Sequence, residues 1–133
     1  MPNERASETE KLTINVGHVD LGRIDLLVRE GFYSNRSDFI RSAIRGQLAA
    51  HSGELAQSLG RHALELGLRE VTVAELEEAR ARGAPLRLRV VGLLRVAKDV
   101  TPELARASIA SITVLGSVQA SAEVKRALAD RIN

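Results

Sequence analysis

The chain has no cysteine and no tryptophan, and its only aromatic residues are Phe32, Tyr33 and Phe39. Without cysteine there is no disulfide, no thiolate nucleophile and no thiolate metal site. Three aromatics gathered in one third of the chain do not make a stacking platform for single-stranded nucleic acid. No apolar run approaches the ~18 residues that a membrane span needs. Residues 1–10 (MPNERASETE) are polar and acidic, unlike a secretory signal, and read as a flexible leader; a cytoplasmic location is the expectation. Neither sign of charge dominates: 19 Lys and Arg stand against 17 Asp and Glu, net +2, which does not by itself announce a nucleic-acid binder. What is present is globular composition, 44% hydrophobic and 27% charged over 133 residues, enough for one ordinary domain or two very small ones.

Residues 11–51 carry the clearest pattern. Lys11-Leu12-Thr13-Ile14-Asn15-Val16 alternates with period two, so Leu12, Ile14 and Val16 face one side and Lys11, Thr13 and Asn15 the other. Leu21, Ile24, Leu27 and Val28 then repeat at helical spacing, and Gly31 stops that helix. Asn35 is a good N-cap for a second helix, with Asp38 at its third position and a stripe of Phe39, Ile40, Ala43, Ile44 and Leu48. Gly17-His18-Val19-Asp20 and Gly22 make a weak start for the first helix.

A single strand cannot satisfy its own backbone groups, and no second strand lies nearby in this stretch. The simplest remedy is the same strand of a second chain, paired antiparallel about a two-fold axis. The resulting ribbon has one apolar face on the helices and one polar face, of a size that fits the major groove of B-DNA. KLTINV…IDLLVREGFYSNRSDFIRSAIRGQL resembles a ribbon-helix-helix domain of the CopG/Arc/MetJ type over about a third of the chain. That resemblance implies Lys11, Thr13 and Asn15 as base readers, and Asn35, Arg36 and Ser37 at the turn as a phosphate clamp. The chemistry suits both roles. Asn pairs with adenine, Lys reaches guanine and Thr bonds either, while a helix N-terminus attracts anions.

Residues 52–83 read as helical, with Leu55, Leu59, Ala63 and Leu66 on one face, although Gly46, Gly53 and Gly60 interrupt the pattern. Thr72-Val73-Ala74-Glu75 is a capping box that starts a helix over 73–82, and Gly83 stops it before Pro85. Residues 90–105 then align without gaps on 114–129, a 24-residue repeat with identities at Val90/Val114, Gly92/Gly116, Val100/Val124, Leu104/Leu128 and Ala105/Ala129. Each unit reads as a strand with a central glycine followed by a short helix, begun at Thr101-Pro102 in the first copy and near Ser121 in the second. Two such units predict a small parallel β-α-β-α arrangement, or two rungs of a solenoid. Either exposes its edges and calls for completion by another chain.

Other residues draw bland readings. His18, His51 and His62 lack metal-ligand spacing, Glu75, Glu77 and Glu78 spread around a helix beside Arg80 and Arg82, and Arg41 and Arg45 lie on a solvated face. Phe32, Tyr33 and Phe39 suit a dimer core better than base stacking. No G-x-S-x-G elbow and no glycine-rich phosphate loop occurs, so no enzyme, metal or cofactor is expected.

The expected protein is α+β: a leader (1–10), an intertwined ribbon-helix-helix dimer (11–51), a helical connector (52–83) and a repeat-containing part (84–133) for oligomerisation or sensing. Its expected function is sequence-specific binding of double-stranded DNA as a transcriptional regulator, homodimeric or higher, with no membrane partner. Two alternatives stand beside this: an antitoxin-type repressor whose C-terminal half binds a protein partner, and a self-assembling structural protein. A small effector at the C-terminal half is a weaker option.

Overall fold

A computed structural model of the chain describes residues 9–133. The leader expected at 1–10 lies almost wholly outside the described residues. The described chain forms two compact units, one from Lys11–Ser58 and one built on Leu59–Asn133.

In the first unit, residues 11–16 are neither helical nor paired with any strand among the described residues. Helix α1 (His18–Arg29) starts at Gly17, which supplies no side-chain cap. It ends in a Schellman motif: Gly31 takes φ +86°, its N–H donates to Val28 O at 3.1 Å, and the Phe32 N–H donates to Leu27 O at 3.0 Å. Helix α2 (Arg36–Ala50) and helix α3 (Ser52–Arg61) are separated only at His51, so Gly46, Gly53 and Gly60 all lie inside helices. Leu21, Ile24, Leu27 and Val28 of α1 are half-buried, as are Phe39 and Ile40 of α2. Tyr33 and Phe39 meet edge to face, ring centroids 5.1 Å apart. None of the three helices buries a single residue fully.

The second unit is a three-stranded, all-parallel sheet. Strands β1 (Glu65–Val71), β2 (Leu86–Val96) and β3 (Ile109–Gln119) lie in the order β1-β2-β3. Helix α4 (Val73–Ala81) connects β1 to β2, α5 (Pro102–Ser108) connects β2 to β3, and α6 (Ala122–Ala127) follows β3. Each helix begins at a hydroxyl cap: Thr72 accepts from the Glu75 N–H, Thr101 from Leu104 and Ser121 from Val124. Gly83 closes α4 with φ +64°. The core lies between one sheet face and the helices. Leu88, Val90, Leu94, Val96, Ile109 and Ile112 from the strands meet Leu76, Leu104, Val124 and Leu128 from the helices.

One expectation needs correction. Residues 65–71 are not part of a helical connector; they form β1, the first strand of the sheet. The helical spacing of Leu55, Leu59, Ala63 and Leu66 concealed a second pattern, the period-two alternation of Leu64, Leu66 and Leu68. Gly67 decides between them: its φ of +122° is foreign to a helix, and it pairs with Gly92. Arg69 fastens the strand to the following helix by a two-pronged ion pair with Glu75, and donates to Glu70 O at 2.6 Å. The sheet therefore has one more strand, ahead of the two that the aligned segments supply.

The glycines form a column across the sheet. Gly67 pairs with Gly92 and Gly92 with Gly116, all at positive φ (+122°, +136° and +124°). A Cβ on Gly92 would collide with the Gly67 carbonyl, and one on Gly116 with the Gly92 carbonyl. Glycine is required there twice over, by backbone angle and by close approach. Gly92→Ala is expected to destabilise the second unit by at least the ~1–3 kcal/mol of backbone strain, with the steric overlap added. Gly53→Ala, in open helical space, should be neutral or stabilising by ~0.5–1 kcal/mol. Chemical denaturation followed by circular dichroism checks both; equal stability of the two variants contradicts the packing described.

Candidate nucleic-acid interface

Two groups of residues in the first unit have the chemistry to meet DNA. The first is the polar side of residues 11–16. Lys11, Thr13 and Asn15 are exposed, but so are Leu12 (81%), Ile14 (61%) and Val16 (40%). Both sides of the segment therefore face solvent in the single chain, and the apolar side has nothing to cover it. Val19, Phe32, Ile44 and Leu48 add to the exposed apolar surface of the same unit.

The second group is the turn into α2, where Asn35, Arg36 and Ser37 follow one another at the helix N-terminus. Asn35 is extended and caps the helix, its side chain accepting from the Asp38 N–H at 2.8 Å. Asp38 reaches back to accept the Ser34 N–H at 2.9 Å. The reciprocal bond thus falls one residue before the cap rather than on it. With Asp38 satisfied by the cap, the first-turn N–H groups of Arg36 and Ser37 are those without an intrahelical acceptor. Together with the helix dipole they favour an anion.

Arg36 has a partner that the sequence reading missed. Its Nε donates to Asp25 Oδ1 at 2.8 Å and its Nη2 to Asp25 Oδ2 at 2.9 Å, joining α2 to α1. The hydrogen bonds and the positive charge of Arg36 hold the Asp25 carboxyl below its ordinary range. The pairing uses two of the five guanidinium N–H groups, and the others are still available to a phosphate. No local spacing rule links residues eleven apart, so this contact had no sequence signal beyond the charges themselves. His18, His51 and His62 do not come together. His51 pairs with Glu54 at 2.8 Å, and among the described residues no three side chains are placed to hold a metal. No helix among the described residues is long and apolar enough to cross a membrane.

The model of the ribbon-helix-helix transcriptional regulator family matches residues 7–125, and the chain belongs to that family. The match runs through both units, so the parallel sheet lies within the matched region. Membership makes DNA-binding transcriptional regulation the class of function and dimerisation the usual state. No curated protein and no solved structure matches the chain.

The Asp25–Arg36 pair makes a pH prediction. Because the folded-state pKa of Asp25 is depressed, the pair's contribution is present above the unfolded carboxylate pKa and fades as pH falls through the folded value. Carboxyl NMR titration should give Asp25 a midpoint below that of an exposed aspartate, and Arg36→Ala should raise it. An Asp25 midpoint that ignores Arg36→Ala contradicts the pair.

Proposed function

We propose that the chain is a sequence-specific, double-stranded DNA-binding regulator that acts as a homodimer. The observation that carries this reading is the first unit's lack of a core. Its helices bury no residue, and Leu12, Ile14 and Val16 alternate along a segment with no mate among the described residues. A 48-residue unit of this kind does not bury enough apolar surface to be stable alone. Antiparallel pairing of two copies of residues 11–16 covers the apolar side against the helices of both chains. The same pairing presents Lys11, Thr13 and Asn15 twice, as a ribbon for the major groove.

In this reading the ribbon reads bases and the turn sets register. Asn35 holds the helix end open, Arg36 and Ser37 offer main-chain N–H groups to a flanking phosphate, and the remaining Arg36 donors add charge. The two-fold axis calls for pseudo-palindromic half-sites. The protein acts by occupying its site rather than by chemistry. The sheet unit then serves to join dimers, which raises avidity for adjacent sites.

Two substitutions separate the roles. Asn15→Ala should relax base preference, by about 1–3 kcal/mol of discrimination at the base it reads, with the fold intact. Arg36→Ala should weaken binding almost equally for all sequences and lower the magnitude of the salt slope by about one. Selection of bound sequences from random duplexes, with titrations at several salt concentrations, measures both. Unchanged base preference in Asn15→Ala, or a sequence-dependent loss in Arg36→Ala, contradicts the assignment.

A further inference from the structure

The parallel sheet ends in two open edges, β1 and β3. Its strands pair in columns with little stagger: Gly67, Gly92 and Gly116 line up, as do Leu66, Val91 and Leu115. Closing a sheet into a barrel requires accumulated stagger. This sheet lacks it, and its edges stay available. Ile109–Gln119 carries no charged residue and no proline, and its one register shift lies at its start, opposite Leu86 and Arg87; from Val114 onward β3 therefore lacks the charges, prolines and bulges that usually guard natural edges against pairing.

The two edges complement each other. Gly92 and Gly116 each receive the carbonyl of the preceding strand where a Cβ would stand. Gly67 adopts the same backbone angle, yet among the described residues nothing lies within 4 Å of its Cβ position. It is an empty copy of a socket that is filled twice elsewhere in the sheet. The matching carbonyl is that of Gly116, on the opposite edge. Extending the register by one strand sets Leu66 against Leu115, 73% and 61% exposed in the single chain. It also brings β1 onto β3 from Val114 onward, since Glu65 and Val114 share Val90 as a partner. Just before that point the β3 edge already accepts a parallel segment. The Ile112 N–H donates to Arg131 O and the Asn133 N–H to Ile112 O, both at 2.8 Å. The helix layer adds charge of opposite sign at its two ends, with Glu77 exposed on α4 and Lys125 and Arg126 exposed on α6.

We propose that β3 of one molecule docks in parallel against β1 of a second copy, continuing the sheet from chain to chain. The contact is head-to-tail, so it does not close on itself. Joined to the two-fold pairing of the first unit, it strings dimers into an open series. The docking deepens the proposed function by naming the surface through which dimers join, and rests on that reading only for the size of the building block.

The test is sedimentation equilibrium of the full chain and of three variants, Leu66→Asp, Leu115→Lys and the double variant. Both side chains are exposed, and melting curves check that each variant stays folded. The wild-type mass is expected to rise with concentration past four chains, in steps of two. Each single variant is expected to stay at two chains, about twice 14.4 kDa, with binding to an isolated DNA site unchanged. The double variant sets Asp against Lys at every contact and is expected to recover growth. A wild-type mass that does not change with concentration overturns the proposal. So does growth that halts at four chains and ignores Leu115→Lys, the signature of two sheets packing face to face. Failure of the double variant to recover growth overturns the register. Growth in steps of one chain supports the docking and contradicts the dimer of the first unit, which separates the two readings.

Discussion

A β-strand cannot stand alone, because its N–H and C=O groups and its apolar side chains must find partners outside it. The architecture of this protein turns on that constraint in both units. Residues 11–16 alternate like a half-buried strand and have no partner among the described residues. The parallel sheet pairs its central strand on both sides from Val90 onward and leaves main-chain edge on β1 and, past Ile112, on β3. In the proposed assembly a copy related by a two-fold axis meets the first lack, which completes and ends the structure, and a copy related by translation meets the second, which completes one edge and opens another.

The two units draw stability from different sources. In the sheet unit, Leu76, Leu94, Ile109, Ile112 and Leu128 are fully buried. Hydroxyl caps start its helices, Arg69 ties β1 to α4 through Glu75, and Arg106 and Arg131 join the end of α5 to the chain that follows α6: Arg106 donates to Ala127 O at 2.7 Å and Arg131 to Ile109 O at 2.6 Å. That unit is a packed body with open edges. The ribbon unit is held within one chain by a Schellman turn, an N-cap, one aromatic pair and the Asp25–Arg36 bridge. These contacts are few, and the Asp25–Arg36 bridge is solvent-exposed; exposed ion pairs contribute modestly. In the proposed reading, folding of the first unit is coupled to association, and DNA meets a surface that exists only in the pair.

Much of this was legible in the sequence where a single residue type has one physical use. Gly31 and Gly83 mark helix ends, Asn35, Thr72 and Thr101 mark helix starts, and the repeat of Gly92 at Gly116 marks the stacked strands. The family resemblance over residues 11–51 agrees with the family match, which extends to 7–125. Strand β1 was not legible, because Leu64, Leu66 and Leu68 also fit a helical series, and only the backbone angle at Gly67 separates the two. The strand offset of 24–25 residues hides different helix placements, since Thr72, Thr101 and Ser121 do not share that offset. The Arg36 bridge was not legible either, for it depends on how two helices pack rather than on spacing along one. Whether Lys11, Thr13 and Asn15 read bases turns on the partner chain, which no single-chain pattern contains.

The central claim is that residues 11–16 pair with the same residues of a second molecule. Isotope-filtered NMR on a dimer mixed from labelled and unlabelled chains tests it most directly. Cross-chain contacts between backbone protons of residues 12–16, in an antiparallel pattern, are the predicted result. A segment that is helical in solution, or whose backbone contacts arise only within one chain, would contradict the account.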